Sequence, residues 1–107
     1  MQFQFNSDNQ VNGADDVAVR IEWDVRHRLA RFEPRLTRVE VHLSDLDGRR
    51  QGPADKRCLL EARPNGLQPV AVSHEADTIA QAVAGATDKM TGALDRMLGR
   101  LTDRKGH

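Results

Sequence analysis

The chain predicts an α+β domain in the order β-α-β-β-β-α, a four-stranded mixed sheet with two helices packed on one face. Three observations carry that expectation. Two stretches repeat their apolar residues with the period of a helix, four shorter ones alternate apolar and polar residues as strands do, and each helical stretch has a single apolar stripe. One stripe needs one covering surface, so both helices most simply lie on the same side of the sheet and leave the other side polar.

In chain order, Met1, Phe3 and Phe5 alternate with Gln2, Gln4 and Asn6, the pattern of a half-buried strand. Asn9 to Gly13 turns the chain. From Ala14 to Phe32 the period is helical, with Val17, Ile21, Val25, Leu29 and Phe32 on one face, Asp15 and Asp16 at the start and Arg28 and Arg31 near the end, as the helix dipole favours. Pro34 is expected to stop that helix. A second strand places Val39, Val41 and Leu43 opposite Arg38, Glu40 and His42. Asp45 to Lys56 fits no periodicity, carries Gly48, Gly52 and Pro53, and is expected to be a mobile loop. Arg57 to Arg63 forms a third strand with Cys58, Leu60 and Ala62 on one face. Pro64-Asn65-Gly66 is a turn signature, and Leu67 to Ser73 is then the hairpin partner. A helix between the first two strands implies a crossover and a parallel pair, followed by antiparallel hairpins.

The last third, Ala76 to Arg104, reads as one long amphipathic helix. At ~100° per residue, Ile79, Val83, Ala86, Met90, Ala93, Leu94, Met97 and Leu101 fall on one core face. Lys89, Arg96 and Arg100 lie on one flank, and Asp77, Asp88 and Asp95 lie on the other. Gly85, Gly92 and Gly99 recur every seven residues and land opposite the core, although each Gly costs a helix roughly 1 kcal/mol relative to Ala.

Composition narrows the function classes. The 107 residues make one small domain, and sixteen Lys plus Arg against sixteen Asp plus Glu leave no net basic signature, so nucleic-acid binding would have to rest on local clustering. The single Cys58 excludes an internal disulfide, and it points inward with no His or Lys beside it, as an inert core thiol does. The N-terminus lacks a secretory signal pattern, and no apolar run approaches the ~20 residues of a membrane span. A cytoplasmic protein without a membrane partner is expected. His42, His74 and the carboxylates show no metal-ligand spacing, and no nucleophile has a base beside it. No metal, cofactor, small-molecule substrate or enzymatic activity is therefore expected.

Arg28-Leu29-Ala30-Arg31-Phe32, Arg38-Val39-Glu40-Val41-His42-Leu43, the turn Pro64-Asn65-Gly66 and the run Ala82 to Met90 together resemble the ribosome hibernation-promoting factor and protein Y family, also called ribosome-associated translation inhibitors. The likeness spans essentially the whole chain and rests on the ordered set, since no single motif is specific. It implies a fold related to double-stranded RNA-binding domains and a single ribosome-binding domain over 1–107, as in short members without the C-terminal dimerisation extension. The implied activity is occlusion of the messenger RNA and tRNA sites in the small-subunit decoding channel, under stress or in stationary phase. The family's basic helix positions are matched by Arg28 and Arg31 on the first helix and by Lys89, Arg96 and Arg100 on the second. Arg26, Arg35, Arg49 and Arg50 are further candidates for RNA contact.

Each of these has a plainer reading. Lys89, Arg96 and Arg100 are also what a solvated helix flank looks like, and Arg28 and Arg31 complement a helix dipole. A shared basic groove between the two helices is favoured, with Asp88 and Asp95 taking no part. Trp23 falls away from the first helix's stripe, near Arg20 and His27. It would stack on a ribosomal base or meet a partner protein, or else be partly covered by Arg stems or by a crystal or dimer contact. The alternative function is a protein-interaction module of the same fold that has lost RNA binding. The oligomeric state stays open, with a monomer as the default.

Overall fold

A computed structural model describes residues 1–7, 14–45 and 56–105, with side chains described outside 14–16, 45 and 100–105. Strands β1 (Gln2–Ser7), β2 (Leu36–Asp45), β3 (Lys56–Pro64) and β4 (Val70–Ala76) form one sheet in the order β1-β2-β3-β4. β1 pairs with β2 in parallel, and the two later pairs are antiparallel. Helices α1 (Ala14–Arg28) and α2 (Ile79–Lys105) complete the β-α-β-β-β-α order.

Alternation on the two central strands sets the inner layer. Val39, Val41, Cys58 and Leu60 are fully buried, with Leu43 and Ala62 nearly so. Phe3, Val70 and Val72 come from the edge strands and are only partly buried against that core. Ile21, Val25, Leu29 and Phe32 cover the layer from one helical segment, and Val83, Ala86, Met90, Leu94 and Leu98 from the other.

The first helix ends earlier than its apolar period predicts. Leu29 N–H still donates to Val25 at the four-residue spacing of an α-helix, but Phe32 N–H donates to Leu29, three residues back. The chain has tightened into a 3₁₀ helix, Ala30–Arg35, with Pro34 inside it rather than after it. In an α-helix the Pro34 ring would press on the carbonyl four residues earlier and leave it without a donor. The tighter turn keeps Leu29 and Phe32 in the core while redirecting the chain into β2. Thr37 then sits at a shift in the β2–β3 register, its hydroxyl donating to the Arg63 carbonyl at 3.1 Å.

Pro64-Asn65-Gly66 turns as its composition demands, with Gly66 at φ +70 and Leu67 N–H donating to the Pro64 carbonyl. β4 begins at Val70, not at Leu67, because Leu67, Gln68 and Pro69 complete the connection and Pro69 has no N–H for a ladder. Asp45 and Lys56 belong to the strands, paired with each other, and the remainder of the expected loop, 46–55, lies outside the described residues.

α2 starts after Thr78, whose hydroxyl accepts from Gln81 N–H at 3.1 Å, rather than at Ala76, which ends β4. Its buried arc is wider than the expected stripe. Ala82, Thr87 and Leu98 are buried, whereas Ala93 and Met97 are half-buried and the Leu101 side chain lies outside the described residues. The helix packs on the sheet and also against the α1 side, so residues toward both neighbours are covered. Thr87 is tolerated there because its hydroxyl donates to the Val83 carbonyl at 2.6 Å. Gly85 is half-buried rather than open: a Cβ on it would collide with the ring of His74, which rises from β4. Gly99 does lie open, with nothing within 4 Å of the position a Cβ would take.

Candidate nucleic-acid interface

The two charge rows of α2 point to different neighbours. Asp88 and Asp95 are seven residues, or two turns, apart and face the end of the first helical segment. Arg28, in the last turn of α1, places Nη1 3.3 Å from Asp88 Oδ1. Arg31, on the 3₁₀ helix, grips Asp95 with both terminal nitrogens, at 2.7 and 2.8 Å. Its guanidinium also lies over the Phe32 ring at 4.2 Å from the centroid. These hydrogen bonds hold the Asp95 carboxyl below its ordinary value and raise Arg31 above its own.

The other row lies over β4. Lys89 is exposed and donates to the Ser73 carbonyl at 2.8 Å. Arg96 is exposed two turns further along the same face, its Nη1 3.5 Å from where a Cβ on Gly92 would be. Arg100 belongs to α2, but its side chain is outside the described residues, and Arg49 and Arg50 are outside them altogether.

A shared basic groove between the helices is therefore not what the side chains build. Arg28 and Arg31 meet carboxylates there, while Lys89 and Arg96 stand on the opposite flank of α2. The helical wheel gives the angle between the two rows of α2 correctly. It carries no information about which row faces α1, and so it cannot reveal Asp88 and Asp95 as ion-pair partners.

Arg26 is turned back onto its own helix and onto β1: its Nε is 2.7 Å from Glu22 and its guanidinium carbon 5.7 Å from the Phe3 ring centroid. Arg35 is exposed and, with Arg31, Phe32, Asp95, Leu98 and Gly99, lines a depression between the 3₁₀ helix and α2. Trp23 is 63% exposed and stacks on His27, with ring centroids 4.8 Å apart and planes 8° from parallel. Cys58 is buried as expected, and burial pushes its thiol up to about 12.

The face of the sheet away from the helices is polar. Gln4, Glu40 and Glu61 form one cross-strand row, and Asn6, His42 and Leu59 the next. Arg38 Nε lies 2.8 Å from Glu40 Oε2, and Arg38 also donates to the Gln4 side chain. His42 Nε2 lies 3.2 Å from Glu40 and 3.7 Å from Glu61. Spacing along the chain could not show this group, since Glu61 arrives from a neighbouring strand.

Comparison with known proteins supports both fold and family. The chain superposes on the Protein Y N-terminal domain of Thermus thermophilus with a TM-score of 0.69 and 19% identity, covering 91% of this chain and 99% of that one. A ribosomal subunit interface protein from Coxiella burnetii gives a TM-score of 0.73 at 13% identity, covering 92% and 99%. At these identities the likeness establishes the fold. No curated protein matches the chain. A protein-family model described as Sigma 54 modulation protein / S30EA ribosomal protein matches residues 9–102. With nearly its whole length inside that match, the chain belongs to the Sigma 54 modulation protein / S30EA ribosomal protein family, the family of ribosome-associated modulation and hibernation factors.

Proposed function

We propose that the protein binds the small ribosomal subunit through ribosomal RNA and inhibits translation by occupying the decoding channel, where messenger RNA and tRNAs would otherwise sit. The observation that carries this reading is family membership over residues 9–102. Exposed cations on both flanks of α2 support it: Arg28 and Arg31 on the α1 side, Lys89 and Arg96 on the β4 side. Phosphate oxygens dominate affinity for nucleic acid, and cations spread over a rigid helical surface suit a folded RNA backbone better than a base sequence. The activity is occlusion and uses no catalytic group. A stress-linked role in the cytoplasm is part of the same proposal, and among the described residues no helix is long and apolar enough to cross a membrane.

The test is co-sedimentation with small subunits across a salt series. Replacing Lys89, Arg96 and Arg100 together by Glu is expected to abolish binding and relieve inhibition of translation in vitro. Each lost phosphate contact removes about 0.7 to 0.9 from the slope of log affinity against log salt, so intermediate variants should flatten that slope stepwise. Binding that survives the triple reversal with an unchanged slope overturns the proposal.

A second reading has two observations in its favour. Arg28 and Arg31 are already matched by Asp88 and Asp95, and the whole chain has formal net charge +0. That suits a protein-interaction module that has kept the fold and lost the RNA face. Weak salt dependence of ribosome binding, or none at all, distinguishes it.

A further inference from the structure

From the open face of the sheet we infer a second site, unrelated to the ribosome reading: a divalent transition-metal site, best suited to zinc, formed by Glu40, His42 and Glu61. One ligand atom from each of the three lies within 4.8 Å of the others. The shorter separations are 3.2 Å from His42 Nε2 to Glu40 Oε1 and 3.7 Å from His42 Nε2 to Glu61 Oε1. A tetrahedral zinc ion with bonds of about 2.0 to 2.1 Å needs ligand atoms about 3.3 Å apart. Two edges of the required triangle are near that value, and the third closes by side-chain rotation of two partly exposed glutamates.

Two features point to a cation rather than to a self-contained polar network. Glu40 and Glu61 are direct partners in the antiparallel register, and like charges so placed repel. His42 Nε2 is shut off from solvent and, like Arg38 Nε beside it, makes no well-directed hydrogen bond among the described residues, although a carboxylate oxygen of Glu40 lies 3.2 Å away and one of Glu61 3.7 Å away. An imidazole nitrogen aimed between two carboxylate oxygens is a set of N and O donors for a borderline metal ion.

The remaining neighbours are compatible. Two cations lie beside the group: Arg63 lines the same depression as Glu40 and Glu61, and Arg38 engages Glu40 through Oε2, leaving Oε1 toward His42. Asn6 stands 3.4 Å from His42 Nδ1. Turning the Asn6 amide over would let its oxygen accept the Nδ1 proton, which leaves the Nε2 lone pair for the metal and orients the ring from behind. Three protein ligands leave a fourth position for water. The β2 and β3 strands supply all three, so a bound ion would tie the two central strands together across the face that no helix covers.

Isothermal titration of the purified full chain with zinc chloride tests the site. The expected result is saturable one-to-one binding in the micromolar range, with a rise in thermal midpoint. Glu61→Gln, which preserves shape on an open surface, and His42→Ala should each weaken binding by tenfold or more, while His74→Ala and Cys58→Ser leave it unchanged. Magnesium, which favours all-oxygen octahedral sites, should give no isotherm. Far-UV circular dichroism checks that each variant is folded, and Glu61→Gln alone decides the matter if His42→Ala is not. Absence of saturable binding at millimolar zinc, or equal binding by the Glu61→Gln protein, overturns the inference.

Discussion

Arg31 and Asp95 join the 3₁₀ helix to α2 by two parallel hydrogen bonds of 2.7 and 2.8 Å. The cation that the sequence offers to RNA is thus already engaged by a carboxylate, and an incoming phosphate must compete with Asp95 for it. Asp95→Asn removes that competitor while keeping the side chain's size. Small-subunit affinity is expected to rise, and the salt slope to steepen by about 0.7 to 0.9 for one added contact. Co-sedimentation at several salt concentrations measures both. A loss of affinity would mean that Asp95 is needed to aim Arg31 rather than to mask it.

The same pair predicts a pH dependence. Arg31 lowers the Asp95 carboxyl, first by hydrogen bonding and then by charge. A carboxyl whose folded value lies below its unfolded value of about 3.9 stabilises the fold above that pH and loses the contribution as pH falls through the folded value. Native protein and Asp95→Asn should therefore differ in urea midpoint at neutral pH and converge on acidification below about pH 3.9. Both groups are exposed, so the difference is small. A gap of constant size through the acid range would count against this account.

Two glycines of α2 should respond oppositely to alanine. At Gly85 a Cβ would collide with the His74 ring, and overpacking of this kind costs about 1 to 3 kcal/mol, more than helix propensity returns. At Gly99 nothing is close, so alanine should stabilise by up to about 1 kcal/mol. Urea denaturation reads both. Adding His74→Ala to Gly85→Ala should restore most of the loss, and failure of that rescue would place the strain elsewhere.

Leu29 and Leu94 are fully buried on opposite helical segments. Alanine at either position is expected to cost about 2 to 5 kcal/mol through lost transfer energy and the cavity left behind. Equal midpoints for native and variant proteins would contradict the packing of both helices on one face.

Much of the fold is legible because it depends on periods within single segments. Val39, Val41 and Leu43 alternate with Arg38, Glu40 and His42, and the sheet buries the first set and leaves the second partly open. Gly66 takes the positive φ that its turn needs. What escapes sequence reading depends on two segments meeting. The apolar spacing of Leu29 and Phe32 continues past Arg28, so the tightening at Pro34 cannot be told from a longer helix. Leu98 and Thr87 are buried because α2 has a second neighbour, which no wheel drawn for α2 alone contains. The pairing of Arg31 with Asp95 spans 64 residues, and the meeting of His42 with Glu61 depends on strand register. Local pattern encodes neither.

The contact between Lys89 and the Ser73 carbonyl bears on self-assembly. β4 is an edge of the sheet, and an edge carbonyl left open is a docking point for a strand from another copy. Lys89 occupies one such point from above, and Pro69, just before β4, offers no N–H to a newcomer. The side chain proposed to touch phosphate therefore also guards the molecule against lengthening its sheet at the expense of its neighbours. Reversing its charge releases the Ser73 oxygen, so a Lys89→Glu protein should form larger particles as its concentration rises, even where no RNA is present.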